Sequence, residues 1–192
     1  MGYSGQYAKT GRDVEMAKSE EENFHFRLMA LTYKLRDFLQ PRIKILKEVG
    51  IQEGFHILDY GCGPGSYIVP LADLVGPSGK LYALDIHPLA IKMVKKRAAK
   101  KHLVNVMTIQ SDCRTELPDR SLDVALLYDV LHDLDQPGLV LKELHRVLKP
   151  GGILSFSDHH LKENDSISGI TQSGLFTPAR RGRKTFSFQK IG

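Results

Sequence analysis

Apolar residues recur along this chain at two different spacings, and the change from one to the other falls near Gly50. Phe24, Leu28, Leu31, Leu35 and Phe38 return every three or four positions, which predicts an amphipathic helix over 24–39. Pro41 suits the first turn of a second short helix ending at Gly50. Beyond it, short apolar runs at 56–60, 80–86, 104–109, 122–128 and 152–157 alternate with stretches at 66–75, 88–101 and 137–148 that are long enough for crossover helices. This is the βαβ rhythm of a parallel sheet, with right-handed crossovers covering both faces. Gly76-Pro77-Ser78-Gly79 and Lys149-Pro150-Gly151-Gly152 read as turns feeding the next strand. The end, 175–191, alternates well enough for two strands about a turn at 180–184, giving an antiparallel edge.

The bulk properties limit how much else fits. With 192 residues and 42% hydrophobic content, one full core is available, so the reading is a single domain, 51–192, preceded by an arm and helical lid, 1–50. Residues 1–22 are polar, carry Gly5 and Gly11 and end on Glu20-Glu21-Glu22, the pattern of a flexible arm. No run approaches the roughly 18 to 20 apolar residues of a membrane-spanning helix, and the start lacks a signal-peptide core. Gln6 stands where a myristoylation motif wants Ser or Thr. The two cysteines, Cys62 and Cys113, have no metal-ligand spacing. These features predict a cytoplasmic protein without a membrane span or a metal site.

The net charge of +5 permits an anionic partner, so placement decides. Lys92, Lys95, Lys96, Arg97, Lys100 and Lys101 alternate with Ile91, Val94 and Ala98 at helical spacing, as on a solvated helix face. Arg180, Arg181, Arg183 and Lys184 beside Gly182 read as a turn, with phosphate contact as the alternative.

Candidate chemistry gathers after the first strand, at Asp59-Tyr60-Gly61-Cys62-Gly63-Pro64-Gly65. A strand that runs into a glycine turn and then a helix aims backbone N–H groups above the sheet. The dinucleotide pattern read from Gly61 needs glycine at position 66, where Ser66 stands, so NAD fits poorly. An acid followed by three glycines at alternate positions resembles motif I of the class I S-adenosylmethionine-dependent methyltransferases. The resemblance continues through Leu84-Asp85-Ile86, Ser111-Asp112-Cys113, the fourth strand up to Tyr128, and Leu148-Lys149-Pro150-Gly151-Gly152, over roughly 50–158. It is similar to the small ubiquinone-biosynthesis-type branch, also described as methyltransferase type 11-like.

That resemblance implies a Rossmann-like three-layer α/β sandwich with a mostly parallel seven-stranded sheet, order 3-2-1-4-5-7-6, whose last strand is antiparallel. It also implies S-adenosylmethionine as cofactor, held by Asp59, Gly61, Cys62, Gly63, Gly65, Asp85, Ile86, Asp112, Cys113 and Tyr128. Asp59 falls near the methionine amino group. Asp85 accepts the ribose hydroxyls, with a helix N-cap before Pro88 as its other reading. Asp112 and the Cys113 N–H meet the adenine, with an Asx turn as the alternative.

Displacement at a sulfonium asks mainly for alignment in a dry pocket, and a base matters only when the acceptor must lose a proton. Asp129 and His132, after the fourth strand, are the catalytic candidates; a hydrogen bond to a neighbouring loop is the other reading of His132. Asp158-His159-His160 lacks a further ligand at metal spacing. Residues 128–131 depart from the Asn/Asp-Pro-Pro-aromatic signature of nucleic-acid amino methyltransferases. No cysteine lies near strand four or five for pyrimidine C5 chemistry, and two cysteines do not supply the thiols that arsenic methylation needs. The expected acceptor is therefore a small molecule, with an RNA methyltransferase or a non-catalytic cofactor-binding subunit as rivals. Phe24, Phe26, Met29 and Tyr33 offer a lid lining or helix packing, the segment 161–174 offers further cover, and Tyr3 or Tyr7 is a candidate for cation-π contact with the sulfonium.

Overall fold

The computed structural model describes residues 20–192, so the expected arm, with Tyr3 and Tyr7, lies outside the described residues. The elements run α1 (Glu20–Leu39), α2 (Ile43–Leu46), β1 (His56–Tyr60), α3 (Ile68–Val75), β2 (Lys80–Asp85), α4 (Pro88–Lys100), β3 (Val106–Gln110) and β4 (Leu122–Tyr128). A 3-10 turn (Leu131–Asp133) follows, then α5 (Pro137–Val147), β5 (Leu148–Ser157), α6 (Glu163–Thr171), β6 (Phe176–Arg181) and β7 (Phe186–Lys190).

The seven strands form one sheet in the order β3-β2-β1-β4-β5-β7-β6, with β7 alone antiparallel to its neighbours. This is the expected Rossmann-like arrangement. Hydrophobicity sorts the strands by position: β1 and β4 are buried on both faces and sit at the centre, whereas β3 and β6 are largely open and take the edges. Two apolar cores result, one on each side of the sheet, centred on Phe156, Leu144 and Phe188 and on Ile57, Leu71 and Leu81. Asp123 pins the far end, accepting the His56 N–H at 2.8 Å and Lys149 Nζ at 2.6 Å. The chain runs outward from β1 through β2 to β3, then returns to the other flank of β1 as β4. A topological switch point therefore lies between the carboxyl ends of β1 and β4.

Several boundaries differ from the periodicity. Val104 is 94% exposed and precedes β3, because the ladder with β2 starts only at Val106. Lys149 to Gly152, expected as a turn, is an irregularity within β5: Leu148 pairs with Leu122 and Ile153 with Val124, and Gly151, at φ 76°, lets the excess residues loop out. The 161–174 segment contains α6, which packs on β6 and buries Ile170 in the core instead of covering the switch point.

The largest difference concerns α1. The stripe that predicts the helix, Phe24 to Phe38, points away from the protein, with its five members 51–81% exposed. The opposite face meets the body: Ala30 is buried and Phe26 stacks on His87 with ring centroids 4.2 Å apart. Among the described residues, no helix is long and apolar enough to cross a membrane.

Gly79 shows how tightly α3 is returned to β2. A Cβ there would lie 2.5 Å from Val75 Cβ, 2.7 Å from Val75 O and 2.8 Å from Phe55 O. Two of these neighbours are backbone and cannot rotate away, so Gly79→Ala is expected to destabilise the domain by about 3 kcal/mol. A urea midpoint lowered at unchanged slope would register this; an unchanged midpoint would mean that the turn yields freely.

Candidate functional site

The glycine loop leaves β1 and folds back on β2. The Gly61 and Cys62 N–H groups both donate to Leu84 O, at 2.8 and 2.9 Å, and the Gly63 N–H donates to Asp85 Oδ2 at 2.8 Å. The loop's donors are thus satisfied within the protein instead of all pointing above the sheet. Positive φ at Gly61, Gly63 and Gly65 (73°, 50° and 82°) makes this return possible. The glycines serve separate ends: a Cβ on Gly61 would overlap the Val130 side chain, and one on Gly65 would press on Ile68 and Val94 at 3.1 Å. Gly63 has open space beside it.

Asp59, next to last in β1, lies beneath this loop, 2% exposed, and its Oδ2 has no hydrogen-bond partner among the described residues. Burial, helped by the Asp85 charge, pushes its carboxyl up to about 7. A buried acceptor left without a partner is costly.

Asp85 is not the N-cap of α4. His87 is, its Nδ1 accepting from the Leu89 N–H at 3.1 Å. Asp85 instead clasps two backbone segments, Gly63 through Oδ2 and His87 through Oδ1, the latter also at 2.8 Å. After β3 the turn is made by Ser111, whose Oγ accepts the Cys113 N–H at 3.3 Å, and the Asp112 carbonyl accepts from Tyr60 Oη at 2.8 Å.

Two adjoining hollows, of about 200 and 270 Å³, open over these strand ends and share Gly61, Asp85, Ile86, Val130, Asp133 and Leu134. The first extends to Asp112, Cys113 and Val140. The second extends to Asp59, Cys62, Gly63, Tyr128 and Asp129, with Phe26, Met29 and Tyr33 of α1 along one side. Together they form a trough for an elongated ligand, polar where the acids lie and apolar under α1. Tyr128 supports the floor: its hydroxyl lies 2.7 Å from Ser155 Oγ and its ring meets Tyr67 edge-on. Burial pushes both thiols up, which leaves neither Cys62 nor Cys113 suited to act as a nucleophile.

Of the sequence-derived site residues, Gly65 and His132 line neither hollow. The 3-10 turn swings His132 toward the end of β5, where its Nδ1 lies 2.8 Å from Asp158 Oδ2. Burial raises the Asp158 carboxyl, but bonds from the His132 side chain and from the His160 and His132 N–H groups outweigh it and hold the group below its ordinary value. A second pair mirrors the first, with His159 Nδ1 2.7 Å from Asp129 Oδ1. The loops after β4 and β5 are therefore crossed by two His–Asp contacts. Asp129 adopts φ 54°, which Asp tolerates better than most residues, and this conformation places it on the trough. Among the described residues, no three His, Cys, Asp or Glu side chains are grouped as a metal site requires.

Ser66, Val130 and Asp133 also line the trough without having been singled out in the sequence as site residues. Ser66 alone carried a signal, as the missing third glycine; it is buried and its Oγ accepts from Arg36 Nη2 at 3.4 Å, joining α1 to the loop.

The profile of the family described as "Methyltransferase domain" matches residues 51–178. Demethylmenaquinone methyltransferase of Geobacillus stearothermophilus is 33% identical over 70% of this chain and 58% of its own length. The enzyme of the same name from Geobacillus kaustophilus is 31% identical over the same shares. The chain thus spans somewhat over half the length of these curated relatives. Among solved structures, a SAM-dependent methyltransferase from Aquifex aeolicus superposes with a TM-score of 0.70 at 27% identity, covering 84% of this chain and 97% of that one.

Proposed function

This chain belongs to the methyltransferase-domain family of S-adenosylmethionine-dependent enzymes, and on that premise we propose that it methylates a small-molecule acceptor of the demethylmenaquinone type over the carboxyl ends of β1, β2 and β4. The observation that carries this reading is the unpaired, buried Oδ2 of Asp59 at the base of the trough. It is an acceptor suited to an amino-acid ammonium group. Asp85, which lines both hollows, offers a carboxylate to a vicinal diol, and the hollow bounded by Asp112, Cys113 and Val140 suits a flat purine.

Bound there, S-adenosylmethionine supplies an electrophilic methyl group that leaves its sulfonium by in-line displacement. The chain's own residues do the rest. Asp59 and Asp85 fix the two ends of the amino-acid and ribose portions. Gly61, Cys62, Gly63, Ile86 and Tyr128 shape the walls, and Gly65 acts through packing against Ile68 and Val94. Phe26, Met29 and Tyr33 exclude water and favour an apolar acceptor. Asp129 is the group that takes a proton from the acceptor, with His159 beside its Oδ1. His132 serves as a positioning residue through Asp158. In this reading 1–50 is the arm and lid and 51–192 the catalytic domain.

Incubation with methyl-labelled S-adenosylmethionine and parallel fractions of lipid-soluble metabolites, polar metabolites and RNA tests the proposal. Label is expected in the lipid-soluble fraction. Transfer only to RNA, or cofactor binding with no transfer to any fraction, would overturn it. S-adenosylmethionine and its demethylated product are also expected to raise the melting temperature, and NAD is not.

A further inference from the structure

Helix α1 is apolar on two faces. Its inner face supplies Phe26, Met29 and Tyr33 to the trough, yet among its described side chains only Ala30 is buried. Its outer face carries Phe24, Leu28, Leu31, Leu35 and Phe38, 64%, 51%, 63%, 63% and 81% exposed. A helix so lightly held draws little stability from its packing on the body, which is where most helical stability in proteins comes from. A helix with an apolar stripe on each of two faces calls for cover on both.

The spacing of the outer stripe identifies the cover. The steps are four, three, four and three residues, a strict 3.5-residue repeat with Leu28 and Leu35 at one core position and Phe24, Leu31 and Phe38 at the other. A 3.5-residue seam is the pattern by which a helix supercoils with a second helix, whereas a helix lying on a lipid surface needs only a broad apolar face without register. The exposed area of these five side chains and Leu39, itself 68% exposed, comes to roughly 700 Å², close to the about 800 Å² that each partner contributes to a stable interface. It also exceeds the isolated apolar patches expected on a monomer's surface.

Charge selects the direction. Arg27 and Lys34 flank the seam on one side, and His25, Thr32 and Leu39 flank it on the other. Antiparallel pairing would set Arg27 and Lys34 of one copy against those of the other. Parallel pairing sets Arg27 against Thr32 and Lys34 against Leu39, where the lysine stem covers the leucine. We infer that the outer face of α1 pairs with the same face of a second copy of this chain, as a short parallel two-stranded coiled coil. Pairing on the outer face holds the inner face over the trough, whatever acceptor the chain uses.

Sedimentation of the full chain over a range of concentrations tests this, with Leu28→Glu and Leu35→Glu as variants. The parent is expected to approach twice its 21.5 kDa mass as concentration rises, and each variant to remain at the single-chain mass with an intact core melting transition. Phe24→Cys is expected to give an oxidised dimer that the parent, treated alike, does not give, because parallel register brings residue 24 to its own copy. A parent that stays at single-chain mass throughout would overturn the inference, as would variants that dimerise as well as the parent. A single-chain parent that floats with anionic phospholipid vesicles would assign the stripe to a membrane surface instead. If Phe24→Cys crosslinks only to a partner carrying Phe38→Cys, and never to its own copy, the parallel arrangement is overturned.

Discussion

Replacing Asp59 with Asn is expected to stabilise the unliganded protein at pH 8 while weakening its hold on S-adenosylmethionine by at least tenfold. In the fold the carboxyl titrates at about 7 against an ordinary 3.8, so the folded state holds its proton more tightly than the unfolded chain does. Stability from this group is complete below about pH 4, falls as the pH rises, and is lost once it passes about 7. A shift of this size corresponds to roughly 4 kcal/mol at pH 8. An Asn amide that is itself incompletely paired returns about half of that, so a net gain of about 2 kcal/mol is expected. Denaturant melts of parent and variant between pH 5 and 8 check the sign: the parent should weaken across this range and the variant much less. Calorimetric titration with the cofactor checks the other half. The parent is expected to bind more tightly as the pH rises toward 7, since the ionised carboxylate attracts an ammonium group. A variant with parental affinity at pH 8 would remove Asp59 from the cofactor site. The expected opposition of stability and binding is the mark of a group kept in place for its ligand.

Asp85→Ala is expected to act in the other direction on stability and more strongly on binding. Its two oxygens hold the Gly63 and His87 N–H groups, each at 2.8 Å, so truncation releases the glycine loop from the start of α4. The cost in the unliganded protein is expected to be about 1–3 kcal/mol, the scale of leaving partly buried donors unpaired. Cofactor affinity is expected to fall about 100-fold or more, because a charged acceptor of a diol disappears while the loop that shapes the trough loosens. Asp85→Asn keeps one acceptor oxygen and should lie between. The two acids also interact: Asp85 contributes to the raised Asp59 carboxyl, so Asp85→Ala should move the pH range of weakening down. Isothermal titration at pH 8 with the demethylated cofactor product separates the cases. Full retention of affinity by Asp85→Ala would withdraw its assignment to the ribose.

Much of the architecture is legible in the chain itself. The central strands read as continuous apolar runs because β1 and β4 are covered on both faces, as in a parallel sheet with crossover helices. Their order along the chain, with short connections and right-handed crossovers, then leaves few topologies open. The acids at positions 59, 85, 112 and 129 are legible for the same reason, since a polar residue ending such a run must emerge at the carboxyl edge of the sheet.

What a linear pattern carries less well is the fate of polar atoms and the choice between two apolar faces. The glycine spacing announces a tight loop, yet only the folded loop shows its N–H groups spent on Leu84 O and Asp85, while Asp59 Oδ2 has no partner among the described residues. The crossed His132–Asp158 and His159–Asp129 contacts join the loops after two separate strands, a distance relation absent from either local sequence. The outcome for α1 is the clearest. Its strongest periodicity, Phe24 to Phe38, correctly marks a helix, because 3.5-residue spacing is a property of the chain alone. Which face turns inward is settled by shape: Ala30 permits close approach and Phe26 finds the His87 ring, so the weaker stripe packs and the stronger one is left outside. Local spacing thus determined the elements, their order and the acids at the strand ends. Burial and partner choice had to wait for tertiary structure, because they depend on surfaces contributed by residues far apart in sequence.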